Sequence, residues 1–213
     1  MDIAIAGGHG KIALSLSRLL IERGDTVHGL IRNPDHTVDL EKAGIEPVIC
    51  DMEAETDLRP FVEGADAVVF AAGAGPDSGP ERKRTVDLGA ALKLMDAGVS
   101  RYVMVSAIGA GDTAGAAEPM RPYLEAKAEA DEMLQQSRLD FTIVRPGRLT
   151  DARATGHVAA GPHVERGDIP RADVALALVA VLDTASTVGR TFNLVLRSGP
   201  GGPGHSGPVG AWH

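Results

Sequence analysis

A single cysteine, Cys50, in 213 residues excludes an internal disulfide and a cysteine-based metal cluster. Its place at the end of an apolar segment reads as a buried thiol rather than a reactive one. Aromatic residues make up only 3% of the chain, so the core implied by 44% hydrophobic residues is built from Ala, Val, Leu and Ile. Positive charge is in deficit: 21 Lys and Arg face 29 Asp and Glu, a formal net charge of -8. That balance argues against nucleic acid or an anionic membrane as a main partner. No apolar run reaches the roughly 18 residues that a spanning helix needs, and the first residues lack the basic and apolar blocks of a secretory signal. The composition leads to the expectation of a cytoplasmic protein of one large domain, a monomer or homodimer acting on a small molecule.

What is present is alternation. Short apolar runs at Asp2–Ala6, Thr26–Ile31, Glu46–Cys50, Ala67–Ala71, Tyr102–Ser106, Phe141–Val144 and Thr191–Val195 predict strands. Several are continuous Val, Ile and Ala runs, the pattern of strands covered on both faces. Between them, Lys11–Arg23, Thr37–Lys42, a short Thr56–Phe61 segment, Arg82–Ala97, Tyr123–Gln136 and Ala172–Asp183 predict helices. In the first of these, Ile12, Leu16, Leu19 and Leu20 follow a 3.6-residue period. Gly24 and Gly98 stand just past two helix ends, where a left-handed cap is needed. Strands alternating with helices imply a doubly wound α/β fold, a parallel sheet with right-handed crossovers that binds ligands at the carboxyl ends of its strands. Residues 1–196 form this domain, with a small substrate-side region near its C-terminal end. Arg197–His213, rich in Gly and Pro and without periodicity, reads as a disordered tail.

Three glycines in four residues close the first strand, in Ile3-Ala4-Ile5-Ala6-Gly7-Gly8-His9-Gly10-Lys11-Ile12-Ala13. Gly8, Gly10 and Ala13 satisfy G-x-G-x-x-G/A. Glycine suits a turn that must be tight and must admit a pyrophosphate, and the helix behind it offers free N–H groups and a positive dipole end. A plain strand-to-helix turn would also use glycine. The second strand leads into Arg32, where an acidic residue would bind a ribose 2′-hydroxyl. An arginine there instead suits a 2′-phosphate, favouring NADP over NAD. Asp51, after the third strand, is placed either to meet an adenine amino group or to start a helix. The small residues of Ala71-Ala72-Gly73-Ala74-Gly75 leave room for a dinucleotide beside the fourth strand, or form a mobile turn.

Together with Val27–Asn33, Val48–Asp51, Val86–Asp96, Arg101–Gly109, Tyr123–Ala130, Thr142–Leu149 and Gly167–Val174, these residues resemble the atypical short-chain dehydrogenase/reductases. The likeness is to the NAD(P)H-binding group similar to NmrA-like and flavin-reductase-like proteins, and it runs from about Asp2 to Val195. It implies a Rossmann fold with cofactor contacts at Gly7, His9, Gly10, Lys11, Ile12, Arg32, Asp51, Ala72, Gly73 and Lys127. The Arg145-Pro146-Gly147-Arg148 loop would flank the nicotinamide half, with Pro146 against it. Tyr123 and Lys127 form the Y-x-x-x-K pair of the wider superfamily, and i, i+4 spacing places them on one helix face. The resemblance casts Tyr123 as proton donor and Lys127 as its electrostatic support and ribose ligand. The third member departs from the pattern: Ala107 falls where a Ser or Thr is usual, with Ser106 one residue earlier as the remaining hydroxyl.

His157 and His163 sit in a loop of the C-terminal third, and nothing at metal-ligand spacing accompanies them, so no metal is expected. Arg148, Asp151 and Arg153 are either anion-recognising or solvated loop charges. These residues lead to the expectation of an NADP(H)-dependent oxidoreductase acting on a small carbonyl, quinone or flavin-like molecule. The alternatives are an NADP(H)-binding regulator without turnover, which Ala107 favours, and, ranked third, a nucleotide-sugar epimerase or dehydratase.

Overall fold

A computed structural model describes residues 1–75 and 78–197 of the chain. The tail reading therefore lies outside the described residues except at Arg197, whose N–H donates to the His157 carbonyl at 3.2 Å. Eight strands form the main sheet in the order β3-β2-β1-β4-β5-β6-β10-β8. They are β1 Asp2–Ala6, β2 Thr26–Ile31, β3 Glu46–Ile49, β4 Ala67–Phe70, β5 Arg101–Val105, β6 Asp140–Pro146, β8 Val158–Gly161 and β10 Arg190–Leu196. All pairs are parallel except β8 against β10. A small second sheet pairs β7 Arg148–Thr150 with β9 Asp168–Pro170. The expected doubly wound parallel sheet is thus present. Its antiparallel edge strand and the second sheet were not foreseen, because Arg148–Thr150, Val158–Gly161 and Asp168–Pro170 are short and lack the Val- and Ile-rich apolar runs that mark the other strands.

Each strand of the sheet centre points alternate residues into two cores. On one side Ile3, Ile5, Val27, Val69 and Val103 meet Ala13, Leu16 and Leu20 of α1 (Lys11–Arg23) and Val174, Leu178 and Val181 of α6 (Arg171–Asp183). On the other, Ala4, Ala6, Leu30, Val68, Phe70 and Met104 meet Leu94 of α4 (Ala91–Met95) and Ala126, Ala130 and Leu134 of α5 (Arg121–Gln136). The short α2 (Thr37–Lys42) covers β2 with Leu40. Gly24 caps α1 with φ 95°, donating to the Ile21 carbonyl, and Gly98 likewise has φ 88°.

Two expectations need correction. Thr56–Phe61 is not a helix: only Arg59–Phe61 winds, as one 3₁₀ turn, since Pro60 supplies no N–H for an extended ladder. The segment expected as Arg82–Ala97 starts earlier and is not uniform. It runs as α3 (Pro80–Lys83), a π-helical stretch Arg84–Ala90, and α4. Val86, Asp87 and Leu88 are all buried there, three consecutive positions that a regular α-helix spreads over about 200°.

The far end of the sheet from the glycine turn is tied by charge. Asp25 accepts from the N-terminal amine at 2.7 Å and from Arg23 at 2.6 Å, and Arg23 also reaches Asp183 of α6. Burial opposes ionisation of Asp25, but the hydrogen bonds and charges of the amine and Arg23 outweigh it and hold the carboxyl below its usual value. A depressed folded-state value stabilises above the unfolded-state value and loses that effect as pH falls through the folded one. Asp25→Asn should therefore cost roughly 1–2 kcal/mol near neutral pH, measured by denaturant unfolding, with the gap from wild type closing below about pH 4.

Candidate functional site

The strand order reverses between β1 and β4, and the chain opens there into a cleft of about 400 Å³. Gly7, His9 and Gly10 line it from the turn after β1, Arg32, Asn33 and His36 from the segment after β2, and Cys50 through Glu53 from the end of β3 onward. Ala71, Ala72 and Gly73 line it after β4, and Arg82, Val86 and Ala90 close it from the helix beyond. Seven of the residues expected to bind cofactor, Gly7, His9, Gly10, Arg32, Asp51, Ala72 and Gly73, thus share one cavity.

The three glycines of the turn serve different ends. Gly7 has φ 79°, and a Cβ on it would lie 2.8 Å from Ala72 Cα. A Cβ on Gly8 would lie 2.6 Å from Gly29 Cα, so the turn is wedged between β2 and the end of β4. Gly10 is exposed, has an ordinary extended conformation, and a Cβ there would meet only the Gly7 carbonyl at 3.1 Å. Only Gly10 is therefore free for a ligand's approach. It also begins α1, whose first turn holds no acidic residue and no side-chain cap, leaving N–H groups and a positive dipole end beside the cleft. Of the two residues that follow, Ile12 packs its side chain on the core. Lys11 reaches Asp151 at 2.5 Å, which also accepts from Arg171 at 2.6 Å.

His9 stacks on His36 with ring centroids 3.7 Å apart, and its Nε2 lies 3.2 Å from Asp39. Asp51 accepts the Glu53 N–H at 3.0 Å, which fixes one of its oxygens inside its own loop. Burial, with the charges of Glu55 and Asp51, pushes the Cys50 thiol up to about 11 against the pull of Lys93, which disfavours the nucleophilic thiolate, and the residue is buried as its position suggested.

Below the cleft lie two charge pairs, Lys127 with Asp87, both buried, and the half-buried Arg145 with the buried Asp131. Lys127 is 2% exposed, its ammonium 3.3 Å from Asp87 and donating to the carbonyls of Val105 at 3.2 Å and Ala72 at 3.5 Å. It also lies 5.2 Å from the Phe70 ring centroid. Asp87 in turn accepts the Ala74 N–H at 3.2 Å. Ser106 donates to Asp131 at 2.8 Å, the same oxygen that Arg145 Nε reaches at 2.8 Å. The Ser106 hydroxyl proton is therefore directed inward. Burial pushes the Asp131 carboxyl up, partly countered by Arg145, Ser106 and Lys127. Burial likewise raises Tyr123; Lys127 pulls its phenol down while Asp87 and Asp131 push it up. Pro146 ends β6, buried and paired in register with Leu194. Next to it, a Cβ on Gly147 would lie 2.1 Å from the Gly167 carbonyl, which fixes where the second sheet sits. Asp173, fully buried, accepts from Thr155 and Gly156 and holds that substrate-side loop.

Sequence reasoning missed Glu53, Arg82, Asp87 and Asp131. A signal existed for two of them. Asp87 interrupts the apolar Val86–Leu88, and Asp131 extends the i, i+4 series of Tyr123 and Lys127 by another turn.

The sheet order, the glycine cradle and the strand-end cleft define a dinucleotide-binding Rossmann protein. The chain belongs to the NAD(P)H-binding family, whose model matches residues 7–185, and it fits the atypical short-chain dehydrogenase/reductases within the wider superfamily. It is 36% identical over 200 residues, 91% of this chain and 94% of the relative, to the uncharacterized sugar epimerase YhfK of Bacillus subtilis. A Bacillus halodurans structure provisionally named a NAD-dependent epimerase/dehydratase superposes with a TM-score of 0.90 at 33% identity, covering 99% of this chain and 97% of that one. The oxidoreductase ylbE of Lactococcus lactis superposes with a TM-score of 0.80 at 26% identity, over 92% and 91% of the two chains. No helix among the described residues is long and apolar enough to cross a membrane.

The geometry can be checked in three ways. Gly10→Ala should keep the wild-type unfolding midpoint yet lose roughly tenfold in dinucleotide affinity, whereas Gly8→Ala should lower the midpoint. Asp87→Asn and Lys127→Gln should each cost about 3–5 kcal/mol, with the double variant costing less than their sum because no charge is left unpaired. Tyr102 is fully buried and its phenol well above the usual value, so the first phenol to ionise in an ultraviolet titration is Tyr123. Asp87→Asn should move that ionisation to lower pH.

Proposed function

We propose that this chain is an NADP(H)-dependent oxidoreductase that transfers hydride to or from a small carbonyl, quinone or flavin-like molecule. One observation carries the reading: the ammonium of Lys127 bonds to the carbonyl of Ala72, a residue lining the cleft. The helix bearing Tyr123 and Lys127 is thereby pinned against the cavity that holds the glycine cradle and Arg32.

When bound, the nicotinamide supplies the hydride. The N–H groups at the start of α1, beside Gly10, would hold its diphosphate, and Arg32 would offer a guanidinium fork to a 2′-phosphate. His9 and Asp51 would bound the adenosine half, Ala72 and Gly73 would admit the backbone of the dinucleotide, and Pro146 would flank the reacting end. Tyr123, held neutral by burial, gives its phenolic proton to the acceptor oxygen as charge develops there. Lys127 supports it from one turn away.

A second reading, binding without turnover, draws on the inward Ser106 hydroxyl and the methyl group of Ala107 at the position where a donor to the substrate is usual. The third reading, a nucleotide-sugar epimerase or dehydratase, draws on the names of two relatives, a sugar epimerase and an epimerase/dehydratase. Titration should show NADPH binding more tightly than NADH, and Arg32→Glu should abolish the difference; equal affinities would refute the cofactor assignment. Consumption of NADPH should be followed with quinones, flavins and aldehydes, and Tyr123→Phe should lower any turnover by about 10²–10⁴. Turnover that Tyr123→Phe leaves intact would refute its role. Binding without turnover of any acceptor would favour the regulator, and epimerised nucleotide-sugar with no net NADPH loss would favour the third reading.

A further inference from the structure

Glu53 lines the cleft beside Arg32 and Arg82 with an unusual set of partners. One of its oxygens accepts from Arg32 at 3.0 Å and from Arg82 Nε and Nη2 at 3.2 and 3.1 Å. The other accepts the Thr85 hydroxyl at 2.7 Å. These donors come from separate parts of the chain, the end of β2 and the helix closing the cleft. The carboxylate is held from its own side as well. Lys93 donates to the carbonyls of Met52, Glu53 and Glu55 at 2.9, 2.9 and 2.6 Å, so one ammonium gathers the whole loop. The Glu53 N–H is bonded to Asp51. Burial opposes its ionisation, yet Thr85, Arg82 and Arg32 together keep the carboxyl below its usual value.

A carboxylate and a phosphate present similar oxygen geometry to a guanidinium fork. Glu53 is only 26% exposed in its side chain, whereas the side chains of Arg32 and Arg82 are 53% and 40% exposed. Arg32 commits one nitrogen to Glu53, and a guanidinium carries five N–H donors, so donors remain for a second anion. That second anion would lie beside a fixed negative charge.

We infer that Glu53 is an internal counter-anion for Arg32 and Arg82, and that a dinucleotide's 2′-phosphate binds in competition with it. This rests on the NADP(H) reading and extends it. Arg82 becomes the second arm of the phosphate site, and Glu53 the residue that limits how strongly the cleft prefers a phosphorylated ribose. Without a 2′-phosphate, Glu53 keeps the two guanidinium groups paired. With one, the carboxylate must share or yield its donors, and the preference shrinks by the cost of two like charges held close together.

The test is calorimetric titration of the full chain with NADPH, NADH, 2′,5′-ADP and 5′-AMP, at low and at near-physiological salt. Glu53→Gln keeps an oxygen for Thr85 and removes the charge. It should tighten NADPH and 2′,5′-ADP by about tenfold while NADH and 5′-AMP stay within about twofold, with the gain falling as salt rises. Arg82→Gln should weaken the two 2′-phosphorylated ligands by about tenfold and leave the others unchanged. Weaker NADPH binding in Glu53→Gln would overturn the inference, since Glu53 would then only orient the arginines. A gain shared by NADH, or no gain, would overturn it too. The underlying reading fails separately: a wild-type protein without preference for the 2′-phosphate refutes NADP(H) selectivity, even where Glu53→Gln creates such a preference and so supports the competition.

Discussion

The glycine turn is held so closely by its neighbours that the rest of the site depends on it. Gly8 leaves no room for a Cβ beside Gly29 of β2, and Gly7 leaves none beside Ala72 after β4. Those approaches bring the ends of β1, β2 and β4 together, and the cavity is the space that remains above them. Fold and site are therefore specified by the same atoms. Of the motif, Gly10 and the uncapped start of α1 are not taken up by these approaches.

Electrostatics add a second principle. Around the cleft and beneath it, cations face carboxylates of the same chain: Arg32 and Arg82 share Glu53, Lys11 and Arg171 share Asp151, Lys127 meets Asp87, and Arg145 meets Asp131. In a chain of net charge -8 the site's positive groups are not left waiting for an anion. The exposed pairs are loosely held, because solvent and salt screen them. The buried pairs are not, and removing one partner strands the other. The cleft is thus edged by groups that can be released near the surface, above a floor of groups that cannot.

Much of the architecture was legible in the sequence. Asp2–Ala6, Lys11–Arg23, Thr26–Ile31 and Thr37–Lys42 form with the boundaries that periodicity and glycine caps predicted. The strands stand out as continuous apolar runs, and Lys11–Arg23 is long enough to repeat its helical period, which is why they could be read. Arg148–Thr150, Val158–Gly161 and Asp168–Pro170 carry neither signal, and tertiary contacts such as the approach of Gly147 to Gly167 decide them. Within the site, Gly7, Gly10, Arg32 and Ala72 were legible because they follow strand ends in a fold whose ligands lie there. Glu53 and Arg82 were not, since their meeting depends on how a loop and a helix distant in sequence close over the cleft. Ser106 was legible as a residue but not as a direction: only the position of Asp131 shows where its hydroxyl points.

The π-helical stretch Arg84–Ala90 has a consequence for how the site is wired. Asp87 sits at its middle, and the wider winding of that turn lets Val86, Asp87 and Leu88 all face the interior. Rewinding the segment to ordinary α-helical pitch would rotate Asp87 away from Lys127 with every side chain unchanged. The charge balance beneath the cleft is thus encoded in backbone pitch as well as in composition. A single deleted residue between Arg84 and Ala90 would alter it as surely as losing the carboxylate.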